Sequence, residues 1–305
     1  MWWLYGDEPF VSPVEPIQRE SVATAPSGYV TLDGSDTWAF TRCCTYECRP
    51  AQADMLHVDI WWRGHNVVAD AGTYSYNAAA PWRNGLAHTR VHNTIEVDGL
   101  DQMRRGPRFT WFDWTESQII RHESGDSFKI FEGEHNGYSV RLGIVHRRTL
   151  ILAGDTAWIV IDDILGSGMH DLASQWLIPA GSVISREPSH VVISTPAGTI
   201  AMDASAQDMA VELVEPADAD ALGWLSTRYR HRMPALSLVT RSRCDLPFRR
   251  IVVFGLTAEL SVTFAGAHLA VWTDRGAAEI GLQPVSQSTL GSIVQSTRLL
   301  TPSSR

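Results

Sequence analysis

The feature that most constrains the fold is a succession of short apolar segments separated by turn residues. From Ser27 onward, segments rich in Val, Ile, Thr and aromatic residues alternate with clusters of Gly, Asp, Asn or Pro, such as Asp33-Gly34 and Asp98-Gly99. This pattern is typical of strands joined by tight turns. Within the whole chain no segment of a dozen residues keeps a helical period. The best helical candidates, Pro216–Leu222 and Pro81–Ala87, are both short.

Roughly fifteen or more strands without alternating helices predict an all-β fold. So many strands are most easily buried as stacked sheets, so we expect a large antiparallel multi-stranded β-sandwich of the supersandwich type. No fixed-period repeat is visible, which disfavours a propeller or β-helix. The predicted strands include Gly28–Leu32, Trp38–Tyr46, Met55–Arg63, Asn66–Asp70, Phe109–Trp114, Tyr138–Leu152, Trp158–Ile164, Asp171–Leu177, Ala235–Thr240, Arg250–Phe254 and Leu260–Ala265.

The chain divides into two parts by composition. Residues 1–26 contain four prolines and several Glu residues, which is typical of an extended linker. Residues 27–305 hold all the predicted strands and are interpreted as one β-sandwich domain, a size that can bury a large core.

Charge and hydropathy exclude two classes of partner. The formal net charge of -9 disfavours binding to nucleic acid or to anionic membranes. The sequence contains no run of 18 or more apolar residues, so we expect no membrane-spanning helix. The first residues, MWWLYGDEPF, also lack the basic and apolar regions of a signal peptide.

The four cysteines are Cys43, Cys44, Cys48 and Cys244. Their spacing matches neither a CxxC metal site nor a dense disulfide framework. We interpret Cys43 and Cys44 as buried free thiols. A Cys44–Cys48 or a Cys48–Cys244 bridge remains an alternative in an oxidising compartment.

The segment Met55–Gln102 concentrates the side chains that carry chemistry. His57 begins an alternating strand, Asp70 ends the next strand at an Asp-Ala-Gly turn, and His92 begins a later one. Two imidazoles and a carboxylate from adjacent strands suit a zinc ion with an open fourth position. The plainer interpretation is a hydrogen-bonded pair of His57 with Asp59. His65 and His88 are further candidate ligands.

The loop 72–87 carries candidate sugar-binding residues. Tyr74, Tyr76 and Trp82 are aromatic and stand near Arg83. A flat aromatic ring beside an arginine can stack on a sugar while the guanidinium binds its carboxylate. The alternative is that these rings anchor a long loop to the sheet.

Three motifs in this segment occur together and in order. They are LHVDIWW with an H-x-D strand, DAGTY with a D-x-G-x-Y turn, and VHNTIEVDGLDQ with an H-N-T strand followed by V-D-G-x-x-Q. The combination resembles the C-terminal β-sandwich domain of heparinase II/III-like polysaccharide lyases. GPRFTW, QWLIP and GWLSTRY further along also match, so the resemblance covers about residues 27–285.

The resemblance implies an activity and a cofactor. Such lyases join an N-terminal (α/α) toroid to this sheet domain and cleave uronic-acid-containing glycans by β-elimination, with a Tyr or His base. Zinc is found in the sheet domain, and by resemblance its ligands are His57, Asp70 and His92, in a structural role. The substrate would be an acidic polysaccharide and the location periplasmic or secreted.

Two departures from the family pattern qualify this expectation. The residues before Ser27 are too few for a toroid, and we expect the main catalytic base to lie in that missing domain. The position two residues before the H-x-D histidine, which is a catalytic His in some members, is Met55 here. We therefore expect the sheet domain of a truncated or split lyase that is inactive alone. The alternatives are a non-catalytic carbohydrate-binding or structural module and, more weakly, an independent metal hydrolase.

Overall fold

The computed structural model describes residues 21–24, 28–207, 209–286 and 291–300 and confirms the predicted all-β fold. In chain order the strands are β1 (Ala23–Thr24), β2 (Tyr29–Asp33), β3 (Thr37–Arg42), β4 (Val58–Trp62), β5 (His65–Val68), β6 (Ile95–Val97), β7 (Arg104–Arg105), β8 (Trp111–Phe112), β9 (Ser117–Ser124), β10 (Phe128–Tyr138), β11 (Ile144–Ala153), β12 (Ala157–Ile178), β13 (Ser182–Arg186), β14 (His190–Thr195), β15 (Gly198–Asp203), β16 (Val211–Val214), β17 (Trp224–Arg228), β18 (His231–Pro234), β19 (Leu236–Gly255), β20 (Leu260–Ala265), β21 (His268–Thr273), β22 (Gly276–Leu282) and β23 (Val294–Leu300). The helical elements are the short α-helix α1 (Ser139–Leu142) and the 3₁₀ turns Gly85–Ala87, Thr89–Val91 and Ser205–Gln207.

Three sheets stack to form the body of the protein. The central sheet has ten strands, of which eight follow the order β13-β14-β15-β19-β12-β11-β10-β9, while β16 pairs with β19 and β6 with β12. A five-stranded outer sheet, β1 to β5, covers one face, and a four-stranded outer sheet, β20 to β23, covers the other. All pairings between these strands are antiparallel, as the sequence predicts.

Side chains that alternate along β11 show how the central sheet packs against two separate hydrophobic cores, one on each face. Leu150 and Leu152 belong to the core shared with β2 to β5, whereas Ile151 and Ala153 belong to the core shared with β21 and β22. Successive side chains of a strand point to opposite faces, so a strand buried on both faces is apolar throughout. Burial on both sides therefore explains the continuous apolar runs Leu150–Ala153 in β11 and 157–161 in β12.

Two strands of the central sheet, β12 and β19, are unusually long, with 22 and 20 residues. β12 and β19 pair from Ala157 with Gly255 to Ile178 with Leu236, with an irregularity between Ile164 and Gly168. The sequence pattern predicted each as two shorter strands. Beyond the irregularity β12 also pairs with β6, and this places the loops on either side of β6 against the end of the sheet.

Four local predictions were wrong. The strand predicted over Tyr138–Leu152 is interrupted by α1, which ends at Gly143 with φ of +68°. Residues 216–222 form turns rather than a helix, and in the predicted helix Pro81–Ala87 a 3₁₀ turn begins only at Gly85. Within Phe109–Trp114 the strand is limited to Trp111–Phe112.

The predicted linker, residues 1–26, lies outside the described residues except for 21–24. There Ala23–Thr24 pairs with Tyr29 and Val30 as an edge strand of the five-stranded sheet. In the described part of the chain, the helices are all too short to cross a bilayer.

The four cysteines are free thiols in the structure. Cys43 and Cys44 are buried in the core under the five-stranded sheet, as expected, while Cys48 is exposed. Burial raises the pKa of the Cys43 thiol to about 11, against a hydrogen bond with Ser117 that lowers it. This thiol is therefore protonated and unreactive at neutral pH.

Candidate metal centre and adjoining cleft

His57, Asp70 and His92 come together at one end of the five-stranded sheet. His57 immediately precedes β4, Asp70 follows β5, and His92 follows the 3₁₀ turn Thr89–Val91. Each of the three offers a ligand atom within 4.8 Å of the other two. The structure thus brings together the three residues that the resemblance implied as zinc ligands.

The spacing of the three side chains fits a zinc ion. His57 Nε2 lies 3.6 Å from Asp70 Oδ2, and His92 Nδ1 lies 2.9 Å from the same oxygen. Ligand atoms on a tetrahedral zinc are about 3.3 Å apart, given bonds of roughly 2.0–2.1 Å. In addition, His92 Nε2 is buried without a hydrogen-bond partner among the described residues. Two neutral imidazoles and a carboxylate are also a donor set that zinc prefers.

The hydrogen bonds of His57 fix its tautomer. Its Nδ1 accepts the backbone N–H of Asn93 at 2.9 Å, so in the neutral ring the proton is on Nε2. That Nε2 lies 3.0 Å from Asp59 Oδ1 and donates to it, the pair expected from H-x-D spacing. A proton and a metal ion therefore compete for the same nitrogen.

Asp70 and His92 shift the pKa of each other in opposite directions. Burial opposes ionisation of Asp70, but the charge and hydrogen bond of His92 outweigh it and hold the pKa of Asp70 well below its usual range. Burial likewise opposes protonation of His92, and the charge of Asp70 outweighs it and raises the pKa of His92. Asp70 and His92 therefore each favour the charged form of the other.

Asn93, Thr94 and Gln102 hold the cluster in place. The Asn93 side chain donates to the carbonyls of Val58 and Ala69 at 2.8 and 3.0 Å, and accepts from the Leu177 N–H at 2.9 Å. Thr94 Oγ1 and Gln102 Nε2 each donate to the carbonyl of Met55 at 2.9 Å, and Gln102 Oε1 accepts the Met55 N–H at 2.7 Å. The H-N-T and V-D-G-x-x-Q motifs thus tie the His57 loop to the ends of β5 and β12.

A buried polar network supports the cluster from behind. Arg148 forms a bidentate ion pair with Asp162 at 2.6 and 2.9 Å, and donates to the carbonyls of Leu56 and Asn93. Burial opposes ionisation of Asp162, but the charge of Arg148 and a hydrogen bond from His146 hold its pKa well below the usual range. Every contact in this network is internal, so its role is structural.

A basic cleft of about 1160 Å³ adjoins the cluster. Arg90, from the 3₁₀ turn that leads into His92, lies on its wall and is paired with Asp220 at 3.1 Å. Burial lowers the pKa of Arg105, an effect that Asp101 opposes. The polar side chains that line it are Tyr76, Asn77, Arg83, Asn84, His88, Arg90, Arg105, Arg108 and Asp220. Four guanidinium groups against one carboxylate leave the cleft basic, and this suits an anionic ligand.

Of the four residues predicted to bind sugar, Tyr76 and Arg83 line this cleft. The exposed Tyr76 ring meets Phe109 edge-on at 5.1 Å and lies 5.5 Å from Tyr229. The sequence did not predict Phe109 and Tyr229 as site residues, because both lie far along the chain from the loop 72–87. Their signal was present in the motifs GPRFTW and GWLSTRY, where each is the exposed aromatic residue.

Tyr74 and Trp82 lie in a different cluster. The Arg232 guanidinium stacks 3.6 Å from the Trp82 ring centroid and 4.2 Å from that of Trp224, with Tyr74 at 5.4 Å. Neither Tyr74 nor Trp82 lines the cleft. Their contacts correspond to the alternative interpretation, in which aromatic residues anchor the loop.

Met55 is fully buried. Its sulfur accepts the N–H of Cys44 at 3.3 Å, and its side chain is outside the cleft lining. This position therefore supplies no proton-transfer group to the cleft.

The described chain is thus a domain of stacked antiparallel sheets with a His₂Asp cluster beside a basic cleft. The profile of the family described as Heparinase II/III-like, C-terminal matches residues 16–280, and the chain belongs to that family.

The chain spans about a quarter to two fifths of the length of the relatives named here. A heparin-sulfate lyase from Bacteroides stercoris is 23% identical over 198 residues, which are 63% of this chain and 26% of that protein. Two solved structures share the fold. A heparinase III gene product matches with a TM-score of 0.69 and 19% identity, covering 86% of this chain and 42% of that one. A mutant heparan sulfate lyase from Pedobacter heparinus matches with a TM-score of 0.70 and 15% identity, covering 87% of this chain and 43% of that one.

Proposed function

We propose that this chain is the sheet domain of a polysaccharide lyase that acts by β-elimination on a uronic-acid-containing glycan together with an (α/α) toroid domain. The observation that carries the proposal is the basic cleft beside the His57–Asp70–His92 cluster. Its arginines suit the carboxylate and sulfate groups of an acidic glycan. The aromatic surface of Tyr76, Phe109 and Tyr229 at its rim suits the face of a sugar ring.

Zinc has a structural role in this proposal. His57, Asp70 and His92 would hold the ion, and it would supply a charged cross-link between the His57 loop, the end of β5 and the loop before β6. The three linked segments do not include Tyr76, Phe109 or Tyr229. However, His92 directly follows the 3₁₀ turn Thr89–Val91, which carries the cleft residue Arg90. Ordering that turn would position one wall of the cleft.

Elimination breaks the C5–H and C4–O4 bonds of a uronate and leaves a C4–C5 double bond that absorbs ultraviolet light. The direct test mixes or fuses this chain with the toroid of a family member and follows that absorbance with heparan sulfate, chondroitin and alginate oligosaccharides. Product formation from at least one of them is expected. Binding without any product would instead favour the second candidate, a non-catalytic carbohydrate-binding module.

That second candidate is supported by the burial of Met55, which leaves the family position without a proton carrier. Both candidates require glycan binding in the cleft, and a matched pair of variants tests it. Tyr76 and Tyr29 are exposed by 42% and 46%, but only Tyr76 lies in the cleft. Tyr76→Ala should weaken binding by about fivefold to tenfold, and Tyr29→Ala should not. Equal effects of the two would reject the cleft as the binding site.

A further inference from the structure

His88 is a cleft residue that neither the zinc cluster nor the sugar-stacking surface uses. It follows the 3₁₀ turn Gly85–Ala87, and its side chain is 33% exposed on the cleft wall. Among the lining residues of the described chain it is the histidine, the side-chain type most often used for general acid–base catalysis.

Asp101 fixes the orientation of this ring. Asp101 Oδ2 lies 2.7 Å from His88 Nδ1, and its other oxygen accepts the N–H of Thr89 at 2.8 Å. The main-chain carbonyl of Asp101 in turn accepts from the Arg141 guanidinium, and the Trp111 ring packs edge-on against the imidazole. Asp101 therefore holds the Nδ1–H tautomer, in which Nε2 carries the lone pair that can accept a proton.

Arg105 lies on the accepting side of the ring. Its Nη1 contacts His88 Nε2, so that nitrogen is an acceptor and carries no proton in this state. Arg105 also donates through Nη2 to the Arg83 carbonyl at 3.1 Å, and its guanidinium lies over the Trp111 ring. An anionic ligand in the cleft would draw the guanidinium toward itself and expose the Nε2 lone pair.

We propose that His88, oriented by Asp101 and covered by Arg105, is the proton-transfer residue that this chain contributes to the cleft. The inference rests on the proposed lyase function. Arg105 binds the uronate carboxylate and stabilises the charge that develops on it when C5 loses its proton. His88 Nε2 takes that proton in place of the base that the resemblance assigned to the toroid, the C4–C5 double bond forms, and the C4–O4 bond breaks. The imidazolium then gives the proton to O4, so the ring ends neutral and the step is balanced.

The test compares His88→Gln with His190→Gln in the chain joined to a family toroid. His190 forms a similar pair outside the cleft, with Nδ1 2.9 Å from Asp203 Oδ2. His88→Gln should lower the rate of product formation by about 100-fold or more, while the Kd of the oligosaccharide changes less than about threefold. His190→Gln should leave both unchanged. Asp101→Asn, a positioning variant, should lower kcat with little change in KM.

The outcomes separate the two proposals. If the wild-type protein forms product and His88→Gln forms it at the same rate, the assignment of His88 is wrong and the lyase function stands. If the wild-type protein binds oligosaccharide but forms no product, the lyase function fails and the role of His88 falls with it. Long-range ¹H–¹⁵N spectra of the wild-type chain give a check that is independent of turnover. They should show His88 as the Nδ1–H tautomer, and a proton on Nε2 in the neutral ring would contradict the proposal.

Discussion

Replacing Asn93 with alanine is the most direct test of how the loops of the candidate metal centre are held together. The side chain is fully buried and makes three hydrogen bonds, to the Val58 carbonyl, the Ala69 carbonyl and the Leu177 N–H. Each bond contributes about 1 kcal/mol net, and each partner left buried and unpaired costs about 1–3 kcal/mol. Asn93→Ala should therefore lower the free energy of unfolding by about 3–5 kcal/mol, a large part of the roughly 5–15 kcal/mol typical of a folded protein.

Equilibrium unfolding in urea, with a chelator present, measures this loss without any contribution from bound metal. Asn136→Ala is the matched control, because its amide bonds Glu116 at 3.0 Å on the surface. It should change stability by no more than about 0.5 kcal/mol. A loss below about 1 kcal/mol for Asn93→Ala would refute the view that Asn93 joins β4, β5 and β12.

Four further outcomes are expected. His92→Ala should abolish the binding of about one zinc ion per chain, measured by elemental analysis after purification without chelators; substoichiometric zinc in the wild type would reject the site. Gly72→Ala should destabilise the fold by more than the roughly 1–2 kcal/mol cost of a left-handed residue, because φ is +81° and a Cβ would lie 2.0 Å from the Ser226 carbonyl oxygen. Native-state alkylation near pH 8, read by mass spectrometry, should label Cys48 and spare Cys43, whose pKa is about 11; equal labelling would contradict the burial. Because the pKa of Asp162 is lower in the folded than in the unfolded protein, its stabilising effect is present above about pH 4 and is lost as the pH falls. Between about pH 5 and about pH 3, Asp162→Asn should therefore lose less stability in urea unfolding than the wild type does.

Most of the fold was predictable because the pattern of alternating side chains is local. Strands such as Leu260–Ala265 have the predicted bounds. The lengths of β12 and β19 were not predictable, since their middle parts carry Gly166, Gly168 and Pro247, which look like turns in sequence. Those residues are tolerated because the two strands pair with each other around an irregularity, and only the folded structure shows that pairing.

The candidate site was predictable in part for the same reason. His57, Asp70 and His92 fall within one continuous segment of motifs, so the cluster was accessible from sequence. Tyr74 and Tyr76 are two residues apart and look equivalent, yet one packs near Arg232 and the other faces the cleft. That difference depends on residues brought in from far along the chain, such as Phe109 and Tyr229 for the exposed ring.

The central sheet also restricts how this sequence can diverge. From Leu150 to Ala153, each residue of β11 packs in one of two cores according to its parity in the strand. Inserting or deleting a single residue would exchange the two sets of side chains and mismatch both cores at once, whereas a change of two residues preserves the parity. Length variation among related sequences should therefore be concentrated in the turns between strands. Within β11 and the paired parts of β12, it should be absent or occur in steps of two.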